Sequence, residues 1–293
     1  MAETTGSTVP RRQLGRYLRD LRGRQRITVK AAAAELEWSE TKLWRVENGH
    51  TSLRSHDVEL MCRIYGAPPH MTEALMGLAK ETKAKGWWHA YGDVIPENFD
   101  IYIGLEESAS LLSMYQAELV PGLLQTEDYA RTVISDGMTG ADSEQVDRLV
   151  AVRIERQALI RRTTTPLELR AVLNEAVIRR PVGGPEVMAG QLDRLAEAAE
   201  MPNISVRIVP FSVGMHRGVM TGPFYILRFP VTGDGQPSEP ATIYVDGFTG
   251  DLYLDKPREV EQYAGAFECI WSAALDEAGS RDLIRQSAEE LRK

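Results

Sequence analysis

Ser39, Glu40, Thr41, Lys42, Trp44 and Arg45 put six hydrogen-bonding side chains into seven residues, interrupted only by Leu43 and followed by Val46. On a helix, the three-residue step from Leu43 to Val46 turns both apolar groups to one side and leaves the others outward. The outward types suit base-edge and phosphate chemistry. An arginine fork matches the guanine edge, a carboxylate accepts from cytosine N4, and hydroxyls and ammonium groups hold phosphates. The expectation is that Glu40, Thr41 and Arg45 reach base edges, while Ser39 and Lys42 anchor phosphates. Trp44 stays open between a DNA-backbone contact and packing against the first helix.

Such a constellation needs a short, fixed helix, and the flanking residues predict one. Val29–Leu36 is an Ala-rich helical run, Glu37-Trp38-Ser39 is a turn, Ser39 stands at an N-cap, and Gly49 supplies the left-handed stop. Before it, Arg11–Arg26 is amphipathic, with Leu14, Leu18 and Leu21 inward and arginines on the other faces. Of these, Arg11, Arg12, Arg16 and Arg19 divide between phosphate contact and ordinary solvated positions. After it, Ser55 reads as a cap for Val58–Tyr65, and Met71–Lys83 reads as a fifth helix.

The charge is split to match. The chain is acidic overall, with a formal net charge of −8, which alone argues against a nucleic-acid partner. Residues 1–85, however, carry 15 Lys/Arg against 10 Asp/Glu, and the remaining 208 residues carry 19 against 32. A basic end on an acidic body is the expected division for a DNA reader joined to a second function.

The five-helix order resembles the xenobiotic-response-element type of regulator with its lambda-repressor-like fold. The resemblance is carried by Leu18–Thr28, by SETKLWRVENG at Ser39–Gly49, and by Ser55 with Asp57-Val58. It implies that Arg22 pairs with Glu47. Val29 stands where many members carry Gln for a phosphate or base contact.

The second region holds KGWWHAYGD (Lys85–Asp93), ELVPGLLQTEDYAR (Glu118–Arg131), VAVRIERQ (Val150–Gln157), LNEAVIRRPVGGPEVM (Leu173–Met188), QLDRL (Gln191–Leu195), VPFSVGMH (Val209–His216) and TGDLYLDKPREVEQY (Thr249–Tyr263). In this order, these phrases resemble the WhiJ-like, antitoxin-like transcriptional regulators of filamentous actinobacteria, over about residues 10–275. The resemblance implies a regulator without established enzymatic activity, often encoded beside a small protein that binds it.

Chemistry of its own is not expected of this region. The histidines are His50, His56, His70, His89 and His216, and no two share metal-ligand spacing. No phosphate-binding loop or nucleophile elbow appears. Gly183-Gly184 before Pro185 is either an anion cradle or a loop feeding a helix. Glu175 with Arg179 and Arg180 reads as a surface helix pair or a cation-held acid, and His216-Arg217 as a mobile connection or an acid-recognising loop. Trp87, Trp88, His89, Tyr91 and Phe99 either line a ligand pocket or pack the domains together. No catalytic residue, cofactor or metal is expected.

The expected fold class is mainly α with an α+β C-terminal part: a lambda-repressor-like five-helix domain, then a helical region and a small β-sheet covered by helices. The expected divisions are a disordered arm at 1–10, the DNA-binding domain at 11–83, an aromatic linker at 84–103, an α+β domain at 104–275 that is a regulatory or partner-binding module, and a charged, fraying tail at 276–293. Helical patterns cover Gly104–Leu119, Thr126–Asp136, Asp142–Arg162, Pro185–Met201 and Pro257–Leu275. Strands are read at Leu167–Leu173, Ser205–Val209, Phe224–Phe229, Thr242–Val245 and Leu252–Leu254. Cys62 and Cys269 read as buried free thiols of a reducing cytosol. With no long apolar run and a polar N-terminus, the chain reads as cytoplasmic, without a membrane span or signal peptide. The partners expected are a double-stranded DNA operator, a second copy of the chain, and for the second domain a small-molecule effector or a small partner protein. The alternative is an antitoxin-like docking module acting on a protein rather than on DNA.

Overall fold

The computed structural model describes residues 8–82, 86–96, 99–138, 140, 142–231, 233, 235–248 and 250–293. Residues 1–7 of the expected arm, Lys83, Lys85 and Thr249 lie outside them. The chain divides into two compact units, residues 1–105 and 106–293.

The first unit opens with five helices: α1 (Thr8–Arg24), α2 (Val29–Glu35), α3 (Glu40–Glu47), α4 (Ser55–Ile64) and α5 (Pro69–Glu81). Leu14, Leu18 and Leu21 of α1 meet Leu43 and Val46 of α3 and Val58, Met61 and Cys62 of α4 in one core. Two details differ from expectation. Helix α1 begins at Thr8 rather than Arg11, so residues 8–10 are helix and not arm. Ser55 is not the cap of α4. Arg54 holds that position without a side-chain bond, and Ser55 Oγ donates instead to Met76 O at 3.3 Å, tying α4 to α5.

A one-turn 3-10 helix, Trp87–Tyr91, follows, then α6 (Phe99–Ser108), which carries the division between the units. Trp88 is buried. Gly104 is required where α6 meets α1, because a Cβ there would lie 2.2 Å from Thr8 Oγ1 and 3.3 Å from the Trp88 ring.

The second unit is built on a six-stranded sheet in the order β3-β2-β1-β4-β5-β6. Its strands are β1 (Leu111–Gln116), β2 (Glu168–Asn174), β3 (Ile204–Val209), β4 (Phe224–Arg228), β5 (Thr242–Val245) and β6 (Leu252–Leu254). The first three run parallel; β4, β5 and β6 add antiparallel pairs. Helices α7 (Glu127–Gly137) and α8 (Ser143–Arg156) connect β1 to β2, and α9 (Glu175–Arg179) and α10 (Pro185–Ala198) connect β2 to β3. Short α11 (Arg217–Thr221) precedes β4, and α12 (Pro257–Ala273) and α13 (Glu277–Leu291) close the unit. Tyr115, Val172, Phe224, Ile226 and Ile243 of one sheet face pack on Phe267 and Ile270 of α12.

Five expectations are corrected here. The helix read over Gly104–Leu119 ends at Ser108, and Leu111–Gln116 is the strand β1 at the centre of the sheet. With both faces covered its apolar run has no alternation, so periodicity does not separate it from a buried helix. The helix read to Arg162 ends at Arg156 and passes into a 3-10 turn, Gln157–Arg161. The tail at Arg281–Lys293 belongs to α13, whose Ser280, Ile284, Ser287 and Ala288 are buried, while Ser280 Oγ accepts from Ile208 N at 2.9 Å. The segment read as a connection at Gly214–Gly218 runs into helix α11, which His216 caps with Nδ1 accepting from Gly218 N at 3.2 Å. Cys269 is exposed; Cys62 is buried, and both thiols are free.

Candidate nucleic-acid interface

Helices α2 and α3 are pinned at their ends by their own side chains. Thr28 Oγ1 accepts from Ala31 N, and Ser39 Oγ accepts from Lys42 N, both at 3.1 Å. Between them Glu37 takes a left-handed φ of +54°, which folds the chain back sharply without a glycine. At the far end Asn48 Nδ2 donates to Trp44 O at 2.7 Å, and Gly49 turns at φ +74°. A side chain at Gly49 would strike Arg12, whose Cγ would be 2.7 Å from its Cβ. Helix α3 is therefore short, capped and fixed on α1.

Its outer face is open. Leu43, Val46 and Glu47 are buried, whereas Ser39, Glu40, Thr41, Lys42, Trp44 and Arg45 are exposed. The Lys42 ammonium lies 3.7 Å from the Trp38 ring centroid, a cation–π contact that holds a flexible cation near the start of α3. Trp44 is 54% exposed and stacks on His50 with ring centroids 5.3 Å apart, so it does not pack into the core.

Beneath this face, Arg22 Nε and Nη2 donate to Glu47 Oε1 and Oε2, each at 2.6 Å, and Arg22 Nη1 donates to Ile27 O at 2.9 Å. The Glu47 hydrogen bonds raise the Arg22 pKa and keep its charge fixed inside the unit.

Sequence reasoning missed His50. Burial, then the fields of Arg45, Arg12 and Arg11, push its pKa down, although Asp100 opposes them. A neutral His50 thus stands at the C-terminal end of α3 among cations. The only local signal was its place directly after Gly49. Of the α1 arginines, Arg11 is buried, bonded to Thr8 Oγ1 and 3.9 Å from Asp100, which removes it from any surface role. Arg12, Arg16 and Arg19 are partly exposed.

The other singled-out residues lie elsewhere. Trp87 meets Trp88 and Tyr91 edge to face, Trp88 meets His89, and Phe99 stacks on Tyr102. His89 Nδ1 is 2.9 Å from Gly86 O. His216 belongs to the second unit and packs edge-on against Tyr115. Glu175 accepts from Arg179 Nε at 3.1 Å and from Phe211 N at 2.8 Å, while Arg180 pairs with Glu118. Gly184 is the N-cap of α10. No cluster of three or more metal-ligating side chains occurs among the described residues, and none of their helices is long and apolar enough to cross a membrane.

A compact helical unit displaying a capped second helix with an outward polar face is a helix-turn-helix DNA-binding domain, and residues 13–75 match that domain's description. Residues 99–286 match a family described as a domain of unknown function, DUF5753; the match spans well over half of the sequence, and the chain belongs to that family. No curated protein and no solved structure matches the chain significantly. The helix-turn-helix domain points to a DNA-binding regulator rather than an enzyme.

Proposed function

We propose that the protein is a sequence-specific transcriptional regulator of the WhiJ-like, antitoxin-like kind, binding its operator as a homodimer. The observation that carries this reading is the outward face of α3, where Glu40, Thr41, Lys42 and Arg45 are exposed on a helix capped at both ends. Arg45 and Glu40 read base edges with Thr41 beside them, and Ser39 and Lys42 grip phosphates. Two copies follow from the shortness of one such helix, which reads only a few base pairs; a second copy on a half-site one helical turn away supplies the rest. Residues 11–83 form the DNA reader, and the α+β body to its C-terminal side senses a small molecule or binds a partner protein. The partner reading is supported by Phe211, Val213, Met215, Val219 and Met220, five large apolar side chains exposed within ten residues. The protein works in the cytoplasm and carries no catalysis.

The test is binding of the purified protein to the DNA upstream of its own reading frame, at two salt concentrations, with Arg45→Ala alongside. Saturable, salt-sensitive binding that loses base preference in the variant is expected. Equal affinity for random DNA at both salts overturns the reading in favour of direct docking on a protein.

A further inference from the structure

Helix α5 turns only part of its circumference to the core of the first unit. Leu75 and Ala79 are buried there, and Met71, Met76 and Leu78 pack against its rim. On the other side His70, Glu73, Ala74, Gly77, Lys80 and Glu81 are all exposed. Steps of four, three and four residues put His70, Ala74, Gly77 and Glu81 on one stripe along α5, and Glu73 and Lys80 run beside it.

The stripe borders an open apolar groove. Between α1 and α5 lies a space of about 450 Å³ lined by Tyr17, Met71, Ala74 and Leu78, with His70 and Glu81 bounding it along the helix. Tyr17 is 45% exposed, a large ring on a surface helix with one side uncovered. In the middle of the stripe a Cβ on Gly77 would meet nothing within 4 Å. With no side chain at Gly77 and a methyl group at Ala74, another helix can approach α5 closely there, since interaxial distance follows the side chains at the crossing.

The charges say what covers this face. Glu73 and Lys80 stand on either side of the helix middle with opposite signs, and neither has an ion-pair partner among the described residues. A parallel copy of α5 would set Glu73 against Glu73. An antiparallel copy sets each Glu73 against the other's Lys80, each His70 against the other's Glu81, and Ala74 on Gly77, all about a single twofold axis. The helix dipoles then oppose as well. A partner of one sign would leave half of this row unmatched, whereas the chain's own α5 matches all of it.

We propose that the groove between α1 and α5, with the exposed stripe of α5, is the surface on which two copies of the chain meet, α5 packing antiparallel on α5. The proposal rests on the homodimeric reading above and places its interface on the DNA-reading unit. At 13 residues α5 is about 20 Å long. One such helix pair buries less than the roughly 800 Å² per partner of a stable interface, so association is in the micromolar range.

The experiment is sedimentation equilibrium of the full chain without DNA, comparing the wild type with Glu73→Lys, Lys80→Glu and the double variant that carries both. The wild type should dimerise with a micromolar dissociation constant. Each single change breaks two symmetry-related pairs and sets like charges together, and should weaken the dimer about fivefold or more. The double variant restores opposite charges across the axis and should return to within about twofold of the wild type. These side chains are exposed, so far-UV circular dichroism and thermal melts of the three variants should match the wild type. A wild type that stays monomeric up to about 0.5 mM overturns the proposal. So does a dimer that both single variants leave intact, or a double variant as weak as the singles. A dimer indifferent to all three variants moves the interface elsewhere and leaves homodimeric operator binding standing, whereas one copy per operator, measured apart by sedimentation of the DNA complex, overturns that reading itself.

Discussion

Arg22 reaches across 25 residues of sequence to clasp Glu47 through two hydrogen bonds of 2.6 Å. Glu47 is only 3% exposed. The clasp therefore fixes the end of α3 to α1 from beneath. Removing one partner strands the other's charge in a dry place, so Arg22→Ala should cost about 3 kcal/mol of stability. Denaturant unfolding of the variant measures this. The double variant Arg22→Met with Glu47→Leu should recover most of the loss, since no lone charge then remains.

Gly15 is the contact point between α1 and α3. A Cβ there would sit 2.6 Å from Val46 O and 2.8 Å from Glu47 O, both backbone atoms that cannot swing away. Gly15→Ala should destabilise by about 1–3 kcal/mol and weaken operator binding by displacing α3. Gly23, in the same helix with nothing within 4 Å of its missing Cβ, is the control. Gly23→Ala should be neutral or stabilising by up to about 1 kcal/mol. Thermal melts and DNA titration of the two variants separate a steric cause from loss of a glycine as such.

Arg45→Ala should lose about 1–3 kcal/mol of discrimination at one base pair and little elsewhere. Lys42→Ala should weaken all sequences alike and reduce the slope of log affinity against log salt by about 1. Competition binding with single-base operator variants over a salt series checks both. A uniform loss in Arg45→Ala would sink its assignment as a base reader.

The first unit is legible because its signals are local. Ser39 caps three residues ahead, Gly49 stops the helix it follows, and Leu14, Leu18 and Leu21 fall on one stripe. The sheet's centre is less so. Leu111–Gln116 is apolar on both faces, and only its neighbours β2 and β4, far along the chain, make it a strand. Helix α13 looks like a solvated tail because its buried stripe is made of Ser280, Ile284, Ser287 and Ala288, mostly small residues. Arg153 and Arg156 sit three residues apart with the same side chain, yet Arg156 is ion-paired with Glu106 while Arg153 donates to the neutral amide of Gln125. That difference depends on Glu106, fifty residues away, and no local pattern reports it.

The buried pair of Arg156 and Glu106 makes its own prediction. Arg156→Gln removes the guanidinium that donates to both oxygens of the fully buried Glu106 carboxylate and should cost about 3–5 kcal/mol. Unfolding of the second unit followed by tyrosine absorbance gives the value. Unchanged stability would overturn the pair's role in holding the second unit together.

His216 confers a pH dependence. Burial pushes its pKa below the ordinary value near 6.5, and Nδ1 accepts the Gly218 N–H only while unprotonated. The native state favours the neutral ring more than the unfolded chain does. Its contribution is therefore complete above pH 6.5 and is lost as pH falls from there through the depressed folded value. Urea midpoints from pH 8 to pH 5 should decline more steeply in the wild type than in His216→Asn.

The central strand β1 has partners very far along the chain: Leu111 pairs with Glu168 on one side and with Arg228 on the other. During synthesis it leaves the ribosome long before β4 exists to cover its second edge. The five helices of the first unit need only their near neighbours and can close as they emerge. The DNA-reading end is thus complete while the other half of the chain is still an open, apolar edge, and it is that interval that exposes the nascent protein to aggregation.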